Sequence, residues 1–225
     1  MEFFSEFINE YGELFITGTW ETILMTFIAT LFAYIIGTPI GILLILSAPD
    51  GLKTNKILNT ICTWVVSIGR SVPFVILLVA LIPFTRFIVG TSLGVKGAIV
   101  PLIVTSAPFA ARMIEQSLAE LDKGLVEAAL SSGASTAQIV WKVYLKESLP
   151  SIVRGISITF ITLFGYSAMA GTVGAGGLGD IAIRYGYQRF QTDVMLGAVI
   201  LCILLVIIFQ MIGDIIARKI DKRHI

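Results

Sequence analysis

The stretch 22-TILMTFIATLFAYIIGTPIGILLILSAP-49 carries no charged residue. A hydrocarbon core takes roughly 20 helical residues to cross, so this stretch alone can span a bilayer. Two more charge-free runs, 155–179 and 194–213, meet the same test. Residues 57–85 are apolar except for Arg70, and residues 93–111 carry Lys96 near their start. Lys96 and Arg112 stand at the ends of their segment, where long basic side chains reach the headgroups. The pattern predicts an all-α membrane protein with about five transmembrane helices. Composition agrees: of 225 residues, 56% are hydrophobic and 14% charged, where a soluble domain carries about 25% charged residues.

Lys and Arg bias sets membrane orientation, with the excess kept in the cytoplasm. With the N-terminus outside, eleven Lys and Arg fall on cytoplasmic segments: Lys53 and Lys56, five between Arg112 and Arg154, then Arg218, Lys219, Lys222 and Arg223. Four fall outside: Arg86, Lys96, Arg184 and Arg189. The count predicts N-out and C-in within a single transmembrane domain over 1–225. Residues 112–154 then form a cytoplasmic loop and residues 171–193 an outward glycine-rich one. Residues 1–20 form an outward arm rich in Glu, the opposite of a signal peptide's basic start. Phe3, Phe4, Phe7, Ile8, Tyr11, Leu14 and Phe15 recur there at helical spacing, which reads as an amphipathic helix on the membrane or as a frayed acidic tail. Cys62 and Cys202 fall inside spans without metal-ligand spacing and read as small apolar residues.

The cytoplasmic loop reads as short helices. A helix-forming run, Leu125 to Leu130, precedes Gly133, which is placed to end it in the left-handed conformation. Ser135 with Gln138 has capping-box spacing, and Ile139, Val140, Val143 and Tyr144 make one apolar face. Gln138, Lys142 and Lys146 point the other way, and Pro150 closes the element. By spacing alone this is either a docking surface for a soluble partner or a compact connection.

Glu127-Ala128-Ala129, three residues, then Gly133 resembles the EAA loop of ABC-importer permeases. That pattern continues with an aliphatic, any residue, then Leu-Pro. Val143 and Leu145 stand in register, Lys146 replaces the proline, and a Leu-Pro follows at Leu149-Pro150. The resemblance implies a type I importer fold with coupling helices, in which Glu127, Ala128, Ala129 and Gly133 serve the contact with an ATPase subunit.

Arg70 sits in Gly69-Arg70-Ser71-Val72-Pro73-Phe74, within a hydrophobic stretch. Insertion scales put a mid-helix arginine at about 3 kcal/mol, so it faces protein or water. It is either a pathway or interface residue, or a structural arginine bonded to carbonyls freed near Pro73. Gly174 to Gly179 matches G-x-G-x-x-G, but it follows a membrane helix rather than a strand and no Lys-Ser/Thr follows, so it is no nucleotide site. Close helix approach and a turn explain these glycines better. Pro39, Pro73, Pro83, Pro101 and Pro108 lie in or beside spans and predict kinks.

Tyr166-Ser167-Ala168-Met169-Ala170-Gly171, Gly177-Leu178-Gly179-Asp180, and the run from Ile183 to Phe190 look closely like the methionine-importer permeases. That resemblance implies a path lined by the fourth and fifth spans, with Met169 at its narrowing and Phe164 beside it. It also implies a homodimer with two copies of an ATP-binding subunit, an extracytoplasmic substrate-binding lipoprotein, and a small amino acid, methionine, as substrate. Another small amino acid or a related compound is the alternative. No catalytic residues, cofactor, metal or nucleic-acid partner is expected; ATP hydrolysis would belong to the separate subunit, since no Walker motif is present. A secondary transporter would show repeats and mid-membrane ionisable residues. A membrane enzyme would need a reactive cluster, and the only His is His224.

Overall fold

The computed structural model describes residues 2–221, with side chains from residue 7 onward. The expectations for Lys222, Arg223 and His224, and for the side chains of Glu2, Phe3, Phe4 and Glu6, fall outside the described residues. The described residues are helical, without strands. Helices α1 (Glu2–Ser47), α5 (Gly94–Ala119), α9 (Leu149–Gly171) and α11 (Thr192–Ile220) are each long and apolar enough to cross a membrane. Between α1 and α5 lie α2 (Lys56–Ser71), α3 (Phe74–Ala80) and α4 (Ile82–Val89). Helices α2 and α3 are long and apolar enough only as a pair bent at a break, so the described residues hold four such helices, or five with that pair taken as one span.

Hydrogen bonding inside each helix explains how polar residues sit in such an apolar chain. Thr22, Thr26 and Thr30 are buried on α1, and each hydroxyl donates to the carbonyl four residues back, at 2.7–2.8 Å. Thr105 does the same to Pro101 O at 2.9 Å on α5, a bond that a hydroxyl inside a helix makes readily.

Two expectations are corrected. The second span is not one helix over 57–85: it breaks at Val72–Pro73 and turns by 96°. Pro73 lacks an N–H, and its ring forces the preceding residue out of the helical region. Pro39, Pro101 and Pro108, by contrast, lie inside helices that continue through them. The N-terminal segment is no separate arm but the first turns of α1, and Phe15 packs with Leu178, Ile181, Val194 and Ala198, with Phe7, Tyr11 and Leu14 against them. Of its apolar residues, Phe7, Tyr11, Leu14 and Phe15 are packed on protein and Ile8 is exposed.

The chain divides into two compact units. The first comprises Met1–Leu31, Val72–Thr105 and Phe160–Phe209. Its core joins Met25, Phe74, Leu78, Leu102 and Leu163, with the Phe74 and Tyr166 rings stacked at 4.8 Å. The second comprises Phe32–Ser71, Ser106–Thr159 and Gln210–Ile225. Here Gly37 and Gly41 let α1 lie against the α5 backbone: a Cβ at Gly41 would stand 2.6 Å from Ala111 O and 2.7 Å from the Ile114 side chain. Thr159 Oγ1 donates to Gly155 O, so Tyr34 O–H donates to Thr159 across 3.1 Å, joining α1 to α9. Only 6% of the most apolar window of α11 is buried, which leaves its surface for lipid or another chain.

Gly41→Val is expected to destabilise the protein by about 1–3 kcal/mol through overpacking, read as a drop in midpoint temperature of the detergent-solubilised chain. Gly12→Ala meets only Ile8 Cγ2, at 3.6 Å, and is expected to hold or raise the midpoint, since alanine gains up to about 1 kcal/mol in a helix.

Candidate functional site

The segment after α5 folds as the spacing predicts. Asp122 caps α6 (Lys123–Ser131), its carboxylate accepting from Gly124 N at 2.8 Å. Gly133 has φ of +78°. Its N–H reaches Leu130 O, and that of Ala134 reaches Ala129 O, the paired bonds that close a helix on a left-handed residue. A Cβ there would meet nothing within 4 Å, so conformation rather than space demands the glycine. The capping box starts α7 (Thr136–Ile139), with Ser135 N to Gln138 Oε1 at 2.8 Å and Gln138 N to Ser135 Oγ at 3.3 Å. A π-helical turn, Val140–Tyr144, leads into α8 (Leu145–Glu147).

The predicted apolar face is the buried one. Ile139, Val140 and Tyr144 pack with Ile114 and Leu118 of α5 and Ile152 of α9, and Val143, Ile42, Ile45 and Leu46 lie against them. Glu127 and Ala128 are exposed or nearly so, and Ala129 is less covered than the buried face. Lys146, standing where the resemblance has proline, is exposed within α8, and Ser148 separates α8 from Leu149-Pro150, which opens α9. Two features escaped the sequence reading. Trp141 is 72% exposed between residues that face inward; the break it makes in that apolar pattern was the available signal. Lys123 Nζ donates to Asp50 Oδ2 at 2.6 Å, and this bond holds the Asp50 carboxyl below its ordinary range. It ties the loop after α1 to the start of α6.

The second group of predicted residues lies on α9 and is not brought together. Met169 is 45% exposed, whereas Phe164 is 3% exposed and Leu163 fully buried. Phe164 packs against Phe160 at 6.1 Å. Of the two predicted residues, Met169 alone is exposed enough to touch something outside its own chain. It is held close to the helix end, where its carbonyl accepts from Thr172 N and Thr172 Oγ1.

Beyond Gly171 the expected loop contains helix: α10 (Gly177–Ile181) and a π-helical turn, Ala182–Tyr187. The physical reason is a pair of partners on α1 that the sequence places far away. Gly177 N–H donates to Glu21 Oε2 at 2.7 Å, and Leu178 N–H to Thr22 Oγ1 at 2.9 Å. Close approach is also real: a Cβ at Gly179 would stand 2.5 Å from Ala168 O, and one at Gly171 would strike Asp180 N. In the sequence, Glu21 reads only as part of an acidic N-terminal segment.

Residues 37–225 match the family described as binding-protein-dependent transport system inner membrane component. The chain is 50% identical, over 94% of its length and 94% of the relative's, to a probable D-methionine transport system permease protein of Vibrio cholerae. It is 47% identical to a methionine import system permease protein of Bacillus subtilis, over 80% of this chain and 82% of that one. A solved structure of a methionine ABC transporter in inward-facing conformations superposes with a TM-score of 0.93 at 48% identity, covering 95% of this chain and 99% of that chain.

In Gly133→Val, the left-handed residue becomes β-branched at a cost of roughly 1–2 kcal/mol, and hydrogen exchange at the amides of residues 133 and 134 is expected to rise about tenfold. Gly133→Asn tolerates that conformation and should stay near the wild-type rate. Equal exchange in all three proteins would show that the turn does not depend on its glycine.

Proposed function

The chain belongs to the family of binding-protein-dependent transport system inner membrane components, and from that premise we propose that it is the membrane-spanning permease subunit of an ATP-driven methionine importer. The observation that carries the substrate is the 50% identity, over nearly the whole of both chains, to a D-methionine permease. ATP hydrolysis lies on a separate subunit, so the chain is not itself an enzyme. It works as a homodimer with two ATP-binding subunits, and a substrate-binding lipoprotein delivers methionine at the outer face.

Coupling runs through α6 and the helices that follow it. Glu127, Ala128 and Ala129 present a small, singly charged surface to the ATPase, and Gly133 sets the angle at which the chain leaves it. Trp141 adds a large apolar contact of the kind that anchors interfaces. Ile139, Val140 and Tyr144 are packed on α5 and on the start of α9, so displacement of the docked segment is carried into both spans.

Met169 is the gate side chain. A thioether is flexible and apolar, so two copies facing each other exclude water and ions yet let a methionine side chain pass. Phe164 backs this part of α9 from within the chain. The orientation is N-out and C-in, supported by the eleven-to-four division of Lys and Arg and the rule that the excess stays inside.

Uptake of labelled methionine in cells lacking their own importer checks the substrate; competition by histidine or a charged amino acid stronger than by unlabelled methionine would overturn it. Met169→Trp is expected to obstruct uptake while the ATPase still copurifies, and Met169→Ala to raise basal ATP hydrolysis or leak. Normal transport by the Trp variant removes the gate role alone. For orientation, single cysteines at positions 6 and 176 should react with an impermeant reagent added outside, and those at 131 and 224 only after the membrane is opened. One inverted position breaks the five-span arrangement.

A further inference from the structure

Helix α2 has three sides rather than the two a lipid-embedded helix needs. One side packs on its own chain: Val66 is buried with Leu44 and Ala111, Cys62 lies against them, and Asn59 Nδ2 donates to Leu44 O and to Ser47 Oγ. A second side, Ile57, Ile61, Val65 and Ile68, is apolar and exposed, as lipid requires. The third carries Lys56, Thr60, Thr63, Ser67, Arg70 and Ser71, all exposed. At 3.6 residues per turn these six fall within an arc of about 100°.

The hydroxyls on this third side differ from the buried threonines of α1 and α5. The buried threonines of α1 and α5 named above each donate to the carbonyl four residues back. On α2 only Ser71 does so among the described residues, to Ser67 O at 2.7 Å. Thr60, Thr63 and Ser67 make no side-chain hydrogen bond among the described residues, so their donors are open to whatever lies outside the chain.

Arg70 is the sharpest case. The sequence allowed it to be a structural arginine satisfied by carbonyls near Pro73, and the structure rules that out: it makes no hydrogen bond or ion pair among the described residues. Its guanidinium carbon stands 6.0 Å from the centre of the Phe109 ring. It lies about 21 Å along α2 from Lys56, at 1.5 Å per residue, in a core about 30 Å thick. The helix then ends and the chain turns by 96°. A charged group with its N–H donors unsatisfied is not stable against hydrocarbon at that depth, so water or an anion must meet it.

We propose that the polar side of α2 lines the water-filled path, and that Arg70, at its far end, binds the carboxylate of the amino acid in transit. The proposal rests on the importer reading. A guanidinium offers two parallel N–H groups to a carboxylate, and those of Arg70, 6.0 Å from the Phe109 ring centre, are bonded to none of the described residues. Ser71, with its proton committed to Ser67 O, keeps lone pairs for the ammonium end. A zwitterion needs such a polar station, because neither of its charges is desolvated unpaired.

The test uses the permease assembled with its ATPase in proteoliposomes, with Cys62 and Cys202 replaced by Ala and a single cysteine at position 61, 63, 67 or 68. A charged, impermeant thiol reagent is expected to modify Thr63→Cys and Ser67→Cys at least about tenfold faster than Ile61→Cys and Ile68→Cys, since the reagent does not enter hydrocarbon. Methionine should slow modification at position 67, and 3-(methylthio)propylamine, which lacks the carboxylate, should not. In an Arg70→Gln background the concentration of methionine needed for protection should rise about ten- to a hundredfold, the range of a lost charged hydrogen bond. Equal modification of the two sides, or none at 63 and 67 because a second chain or a lipid headgroup covers them, overturns the path. Equal protection by the amine, or protection unchanged by Arg70→Gln, overturns the carboxylate site. The comparison of sides needs no substrate, so a failure of the methionine reading is seen separately, as loss of protection in every variant.

Discussion

A hydrocarbon slab offers no water to an unpaired N–H or C=O, and each one left open there costs several kcal/mol. Most of this chain meets the constraint by being helix. Its distinctive parts are the places where helix stops and the lost bonds must be replaced. Beyond Gly171, Val173 N and Ala175 N both return to Ala170 O, Gly174 O receives Gly94 N, and Gly177 N and Leu178 N are taken by Glu21 and Thr22. That break is therefore fixed by partners from α1 and from the start of α5, and the glycines serve the close approach. A carboxylate at the first N–H groups of a short helix also suits the helix dipole.

The same constraint separates the two predicted path residues from each other. Phe164 and Met169 are five positions apart on one helix, which puts them about 140° apart around its axis. They cannot share a face. That could have been read from the numbers alone, and the structure simply assigns the faces: Phe164 to the core and Met169 to the outside. A gate residue has to be available to a second chain and to substrate, so only the exposed side of α9 can supply it.

How much was legible follows from where the information lies. Apolar length located α5, α9 and α11 to within several residues, because a span is dictated by its own composition, whereas α1 begins far ahead of its charge-free run. The cytoplasmic turn and capping box were legible for a like reason: Gly133, Ser135 and Gln138 act within a few residues of themselves. The bend at Pro73 was not, because five prolines looked alike in sequence and tertiary contact decides among them. Pro108 continues its helix while lying against Gly69, where a Cβ would stand 2.5 Å from its Cγ. The helix over Gly177–Ile181 was hidden for the opposite reason, its glycines arguing for a loop while its stabilising partners sit 156 residues earlier.

Transmission, on the proposed reading, needs a part that resists compression, and the docking segment supplies it. Its apolar face is locked onto α5 and the end of α1 by Ile139, Val140 and Tyr144, and Lys123 ties its start to Asp50. Ser148 is buried, and helical bonding runs through it from α8 into α9, Ser148 N–H reaching Tyr144 O at 3.1 Å and Ile152 N–H reaching Ser148 O at 2.9 Å. Close-packed interiors pass displacement on rather than absorbing it. A push on α6 and α7 therefore reaches α5 through side-chain contact and the start of α9 through the chain itself.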